Sequence, residues 1–338
     1  MFASKRIQKT LAVLTALAMA VTIGACGSSN DSKESNSAAD TTVNIAFPTW
    51  SGYGPLYIAK EKGYFAEQHL NVNMKIVEGL SERKQALAGG SLDALATAAD
   101  VIVNLAANDI PMKTTWVLDI SNGSDGIVYN KSIKSLKDLK GKQIAVEEGT
   151  TDHFFLLKVL QQNGIAESDV KLVNMTTGDA GTAFVGGKVP AAVTYEPYLS
   201  QAAAAGGKTY TTKDDPIPLL DVVAFTDGFA SKHPAAVKGF SKALAEAAQY
   251  AKDNPKDADK IMANGLQMDV SDVESTLKVL KIFGAEENTK QFGKEGSHGE
   301  LRSTMDEYSQ FYASHKITPK TINPDDVIDA TPVRALQQ

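Results

Sequence analysis

The sequence predicts an α/β protein built from two similar lobes with a cleft between them. Three observations carry that expectation. Strand-like and helix-like segments alternate from about residue 43 to about residue 226, the pattern of mostly parallel sheets covered by helices. The alternation repeats: Ile45 and Ile144, Val72 and Val170, Gly89 and Gly186, and Thr97 and Thr194 each stand about 97 to 99 residues apart. After Pro234 the chain turns largely helical.

Taken in order, the first strand is expected over residues 43–47, followed by a Gly/Pro-rich turn and a helix from about 55 to 65. A strand over 71–77 and a short helix over 81–88 follow, with Ser81 as the helix cap. The run Ala88-Gly89-Gly90-Ser91-Leu92-Asp93-Ala94 is echoed by Val185-Gly186-Gly187-Lys188-Val189-Pro190-Ala191. Two units are thus expected near 43–118 and 126–205, with hinge crossings near 119–125 and 215–224. Residues 235–251 carry apolar side chains at helical spacing, and Pro234 suits a first helical turn. The expected organisation places 42–120 with 222–338 in one lobe, C-terminal helices included, and 121–221 in the other.

The N-terminus reads as a secretory signal. Lys5, Arg6 and Lys9 precede an apolar stretch over residues 11–23, and small residues Gly24 and Ala25 lead to Cys26. The stretch is shorter than the ~20 apolar residues a membrane span needs. Ile23-Gly24-Ala25-Cys26 resembles the bacterial lipobox, which implies that residues 1–25 are removed and that Cys26 carries lipid. Residues 26–41 are small and polar. Such a segment cannot bury a core and is expected to be a disordered tether.

Composition narrows the function. The 338 residues are 43% hydrophobic and 22% charged, with a net charge of -6. That balance argues against a nucleic-acid partner, which needs a basic face. Only four arginines are present, Arg6, Arg83, Arg302 and Arg334, so fork-type anion donors are few. A single cysteine excludes an internal disulfide and a cysteine metal site. No GxGxxG, GxxxxGK[ST] or GxSxG motif occurs. No cofactor and no enzymatic activity are expected.

Two lobes of this kind bind ligands in the crevice beyond the carboxyl ends of their strands, where helix N-termini converge. The candidate residues are therefore those of the turns after each strand: Trp50, Gly52 and Tyr53 in the first loop, and Thr97, Ala98 and Asp100 after the third strand. Asp119 lies near a crossover; Glu148, Gly149, Thr150, Thr151 and Asp152 form the second-lobe turn, and Tyr195 and Glu196 follow its partner strand. Trp50 and Tyr53 offer flat apolar walls with a polar edge. Glu147, Glu148 and Asp152 either complement a helix dipole or hold a cationic group. Arg83 either reaches an anion or faces solvent, and Trp116 and Tyr198 read as either cleft or core. His153 reads as a packing or capping residue.

The stretch from Trp50-Ser51-Gly52-Tyr53-Gly54-Pro55-Leu56-Tyr57 to Lys62-Gly63-Tyr64-Phe65 resembles the opening motif of nitrate/sulfonate/taurine-type binding proteins of ABC importers. Leu139 to Val146 with the turn from Gly149 to His153, and the segment from Ala180 to Tyr198, are similar to that family's second lobe. The resemblance covers about residues 43 to 240. It implies a two-lobed periplasmic-binding-protein-like fold of type II, with ligand held by the first loop, the Thr97 region and the turn at 149–152. It further implies a small-molecule solute, an ABC permease in the cytoplasmic membrane as partner, an extracytoplasmic site of action and a monomer. The ligand it implies is a sulfonate, taurine-like or nitrate-type solute. The acidity of the expected cleft, with Asp119, Glu147, Glu148 and Asp152, departs from a simple anion site. It favours a zwitterion such as taurine, or an amine-bearing or thiamine-pyrimidine-like compound. Enzymes of the same superfamily that make the thiamine pyrimidine carry a cysteine-rich segment, which this chain lacks.

Overall fold

The computed structural model describes residues 40–337. The expected signal segment, Cys26 and all but the last two residues of the expected tether lie outside the described residues.

The chain opens with β1 (Thr41–Phe47), a 3-10 turn at Ser51–Tyr53, α1 (Gly54–Glu61), α2 (Tyr64–Glu67) and β2 (Leu70–Ile76). Then come α3 (Leu80–Ala88), β3 (Ala94–Ala98), α4 (Ala99–Ala107) and β4 (Met112–Ser121). The middle of the chain forms β5 (Asp125–Tyr129), β6 (Gln143–Val146), α5 (Thr151–Gln162), β7 (Lys171–Asn174) and α6 (Thr177–Val185). It continues with β8 (Ala191–Tyr195), α7 (Tyr198–Ala204) and β9 (Lys208–Thr211). The last part holds β10 (Leu220–Thr226), α8 (Asp227–Lys232), α9 (Pro234–Asp253), α10 (Pro255–Leu266) and α11 (Val270–Thr276). After it come β11 (Leu280–Ile282), α12 (Ala285–Phe292), α13 (Glu300–Ser314) and α14 (Thr331–Ala335).

Several expectations shift locally. β1 begins at Thr41, inside the stretch expected as tether, because Thr41 pairs with Leu70 of β2. The helix expected over 55–65 is two helices. Gly63 takes the left-handed conformation at φ +80 and breaks it, a conformation open to glycine at little cost. Ser81 is not the cap of α3; it lies within the helix and is exposed, while Gly79 holds the cap position. β11 is a strand in a region expected to be helical.

The strands form two sheets, ordered β11-β4-β10-β3-β1-β2 and β7-β6-β8-β5-β9. In the first, β1 runs parallel to β2 and β3, and β3 runs antiparallel to β10. In the second, β6 runs parallel to β7 and β8, and β8 antiparallel to β5. The two patterns coincide, and so does the register: Ile45 stands opposite Ala94, as Ile144 stands opposite Ala191. The internal repeat of the sequence is therefore a repeat of topology. The fold is two-lobed, one lobe on each sheet.

The chain crosses between sheets twice, once between β4 and β5 and again between β9 and β10. Hydroxyls tie the crossings together: Ser121 Oγ lies 2.8 Å from both Ser124 Oγ and Thr212 Oγ1, and the Gly123 amide donates to Thr212 Oγ1 at 2.7 Å. The lobes also share core. Phe154 of α5 is fully buried, with its ring 5.0 Å from those of Tyr308 and Phe311 of α13 and 5.9 Å from that of Tyr312. Edge-to-face rings at these separations attract beyond their buried area. Among the described residues, no helix is long and apolar enough to cross a membrane.

Candidate ligand-binding cleft

The carboxyl ends of β1 and β3 in one lobe and of β6 and β8 in the other face a common cavity of about 70 Å³. That is room for a small solute or several waters. Its walls come from both lobes. Trp50 and Tyr53 enter from the turn after β1, Arg83 from α3, and Thr97 and Ala98 from the end of β3. From the second lobe come Asp125 at the start of β5, Glu147, Thr150, Thr151 and Asp152 around the start of α5, Thr176 and Thr177 at α6, and Tyr195 ending β8. Asp221, in the returning strand β10, completes the wall.

The first loop is shaped by what lies behind it. The indole nitrogen of Trp50 faces Asp119 Oδ2 at 3.4 Å, and the Tyr53 hydroxyl donates to Asp221 Oδ1 at 2.5 Å. Gly52 sits between these groups. A Cβ there would overlap both the Asp119 carboxylate and the Trp50 indole, so space, not backbone conformation, demands glycine. Trp50 reaches across the cleft to Tyr195, ring centroids 5.2 Å apart.

The charge balance is unusual. Glu78, Asp125, Glu147, Asp152 and Asp221 line the cavity, with Asp100 and Asp119 buried close behind. The one cation among the lining residues is Arg83, 3% exposed. Its guanidinium donates to Thr97 Oγ1 at 3.1 Å and to the carbonyls of Gly79 and Glu78 at 3.4 Å, and among the described residues it forms no ion pair. Burial pushes the carboxyls up. Asp125 rises to about 6 and Asp221 to about 7, in each case chiefly through loss of solvent. Asp119 is held well above the carboxylate range by burial and then by the charge of Asp221, its cross-strand neighbour. Asp152 is likewise held well above it by burial, despite a hydrogen bond from the Thr177 hydroxyl.

The residues singled out in the sequence divide into two groups. Trp50, Tyr53, Thr97, Ala98, Thr150, Thr151, Asp152 and Tyr195 stand on the cavity wall. Gly52, Asp100, Asp119, Glu148, Gly149 and Glu196 do not. Gly52 and Asp119 support the first loop from behind. Asp100 spends both oxygens on the protein, accepting from Thr151 Oγ1 at 2.6 Å and from the Tyr312 hydroxyl at 2.5 Å. Gly149 takes φ +79 and gives its carbonyl to Asn104 Nδ2 at 3.0 Å. Glu196 accepts from the amide and hydroxyl of Ser200 at the start of α7. Glu148 is exposed on the outer side of the turn, and the cavity glutamate is Glu147. Which of two consecutive glutamates points inward depends on where β6 ends, and composition does not fix that.

The open alternatives also resolve. Arg83 is buried on the cavity wall, Trp116 is core at 1% exposure, and Tyr198 lies behind Tyr195 rather than on the wall. His153 is buried and accepts the Gly149 amide at Nδ1, 3.3 Å away, so it packs the turn. Asp125, Asp221, Thr176 and Thr177 also line the cavity, and no local pattern in the sequence marks them. Asp125 and Asp221 flank the two crossings, and their pairing partners lie far away in sequence.

Comparison with known proteins agrees with this architecture. The chain is 28% identical over 218 residues to the taurine-binding periplasmic protein of Escherichia coli strain K12, covering 63% of this chain and 68% of that one. It is 27% identical over 334 residues to a putative aliphatic sulfonates-binding protein of Bacillus subtilis strain 168, covering 96% of each. The crystal structure of the periplasmic nitrate-binding protein of Synechocystis PCC 6803 superposes with a TM-score of 0.71 at 17% identity over 88% of each chain, a likeness of fold. The family model described as NMT1/THI5 like matches residues 50–258, and the chain belongs to that family.

Proposed function

We propose that this protein is the extracytoplasmic solute-binding component of an ABC importer, and that its solute is a small organic sulfonate bearing an amine, of the taurine kind. The observation that carries the reading is the two-signed cavity. Asp125, Asp152 and Asp221 face a single buried guanidinium, Arg83, which has no carboxylate partner among the described residues. An ammonium group would satisfy the acids and favour their ionised forms. A sulfonate would meet Arg83 and the hydroxyls of the surrounding threonines. The similar taurine- and sulfonate-binding proteins support the same ligand class. A second reading, a planar amine-bearing heterocycle such as a thiamine-type pyrimidine, is favoured by the Trp50 and Tyr195 rings at the cavity wall.

On this reading the protein binds and releases its solute unchanged and works as a monomer with a membrane permease. Residues 42–120 with 222–338 form one moving lobe, and 121–221 the other. Cys26 carries the lipid that holds the protein at the outer face of the membrane. The deciding experiment is titration calorimetry of the soluble domain with taurine, ethanesulfonate, nitrate and an aminopyrimidine. Taurine binding well ahead of ethanesulfonate supports the reading, and nitrate binding ahead of taurine refutes it. Mass spectrometry of the recovered solute checks that no conversion occurs. Loss of the Cys26→Ser variant from the membrane fraction checks the anchor.

A further inference from the structure

The first amide of helix α3 is satisfied from the opposite lobe. The Leu80 N–H donates to Glu147 Oε1 at 2.8 Å, while Thr177 Oγ1 lies 3.4 Å from Glu147 Oε2. No side chain of α3's own approach caps the helix: Gly79 stands at the cap position and has none to offer. The free amides and positive dipole end of a helix start attract an anion. Here the attracted anion belongs to the protein. The same helix carries Arg83 one turn further on, buried on the wall of the same cavity and free of ion pairs among the described residues. Amide end and guanidinium together are the positive side of the cleft, and Glu147 has taken half of it.

We propose that Glu147 is a specificity-determining residue: its carboxylate fills, from across the cleft, the place at the α3 N-terminus that a ligand oxyanion would take, and so sets the cleft against simple oxyanions and in favour of amine-bearing solutes. This rests on the reading of the cavity as the solute site. Closure joins the lobes through Glu147 without any anion from the ligand. A simple oxyanion must either displace Glu147 or lie against it and against four further acids of the cavity wall, with only Arg83 in compensation. A zwitterion meets the same carboxylates with its ammonium group.

The test compares wild type with Glu147→Gln and Glu147→Ala, using taurine, ethanesulfonate and sulfate as probes. Ethanesulfonate is taurine without its amine. Glu147→Ala is expected to bind ethanesulfonate or sulfate about ten- to one-hundred-fold more tightly than wild type, the factor of a charge-assisted hydrogen bond. Glu147→Gln, which keeps the shape and a neutral acceptor for Leu80, is expected to lie between the two. The preference for taurine over ethanesulfonate should narrow in the same order. Amide exchange at Leu80 supplies a readout free of the ligand: it should quicken in Glu147→Ala and slow again when ethanesulfonate is added. The inference is overturned if neither variant gains oxyanion affinity, or if Leu80 exchange is the same in wild type and Glu147→Ala. Should wild type bind no taurine while Glu147→Ala gains ethanesulfonate, the taurine reading falls and the role of Glu147 stands.

Discussion

Tyr53 donates its hydroxyl hydrogen to Asp221 at 2.5 Å, joining the first cavity loop to the strand that returns from the second lobe. Asp221 stands directly across from Asp119 in the β10–β4 pair. Two carboxyls in so dry a place resist ionising together. Asp221→Asn keeps an acceptor for Tyr53 and removes one of the two charges. It is expected to raise the melting temperature of the ligand-free protein at pH 8 and to weaken taurine binding by about ten- to one-hundred-fold. A gain in stability with loss of binding is the signature of a residue retained for its ligand. Unchanged affinity would remove Asp221 from the site.

The raised carboxyls make stability depend on pH in a defined direction. Asp125 and Asp221 titrate near 6 and 7 in the folded protein, against about 3.9 in an unfolded chain. Between those values the folded state holds more protons than the unfolded state, so stability falls as pH rises. The contribution is fully present below about pH 4 and is lost as pH passes through 6 and 7. Thermal melts of wild type and of a double Asp125→Asn, Asp221→Asn variant, run from pH 5 to pH 8, should diverge accordingly. The variant should lose less stability over that range. A wild-type curve parallel to that of the variant would show that the two groups are ionised throughout.

The same groups predict proton release on binding. An ammonium group favours the ionised carboxyls, so binding at pH 6 should expel on the order of one proton per site. Calorimetry with taurine in two buffers of different ionisation enthalpy measures the number directly. A count of zero would mean that the amine does not meet Asp125 or Asp221.

The parts of this fold that were legible in the sequence are those with local signatures. The offset of Ile45 and Ile144, or of Thr97 and Thr194, is a property of the chain and survives as matching registers in the two sheets. Gly52 of the first loop reads as a ligand contact by residue type, yet the space a Cβ would need there is taken by the protein's own Asp119 carboxylate and Trp50 indole. What stayed hidden depends on pairing at a distance. Asp221 matters because β10 lies between β3 and β4, an arrangement set by the return crossing and not by neighbouring residues. Ser81 was a reasonable cap by type, yet a carboxylate 67 positions away satisfies the helix start.

Gly52→Ala tests the packing behind the first loop. The added methyl must push either the Trp50 indole or the Asp119 carboxylate away, and both are buried. Overpacking of this kind costs about 1–3 kcal/mol. A lower melting temperature is expected together with weaker binding, since Trp50 is part of the cavity wall. Pairing Gly52→Ala with Asp119→Ala should recover part of the loss, because the smaller side chain restores the space. No recovery would locate the strain elsewhere.

The joint between α5 and α13 is expected to behave differently from the cleft mouth. Phe154 is fully buried among Tyr308, Phe311 and Tyr312, and near it Lys158 and Glu307 pair at 2.6 Å near the surface. Exposed pairs contribute little, so the joint rests on the rings. Phe154→Ala removes the central ring and leaves a void that close-packed neighbours fill only in part, at a cost of about 3–5 kcal/mol. For a protein of this size each kcal/mol lowers the melting temperature by roughly 2–4 °C. The variant should therefore melt many degrees lower, while Lys158→Ala should change the melting temperature little. Phe154 does not line the cavity. The relative preference for taurine over ethanesulfonate should thus stay at the wild-type value in Phe154→Ala, measured well below its melting temperature, whereas Glu147→Ala should alter that preference. A Phe154→Ala variant that melts like wild type would show that the ring cluster is not what holds α5 to α13. One that lost the taurine preference would show that the placement of α5, and not Glu147, sets the selectivity of the cleft.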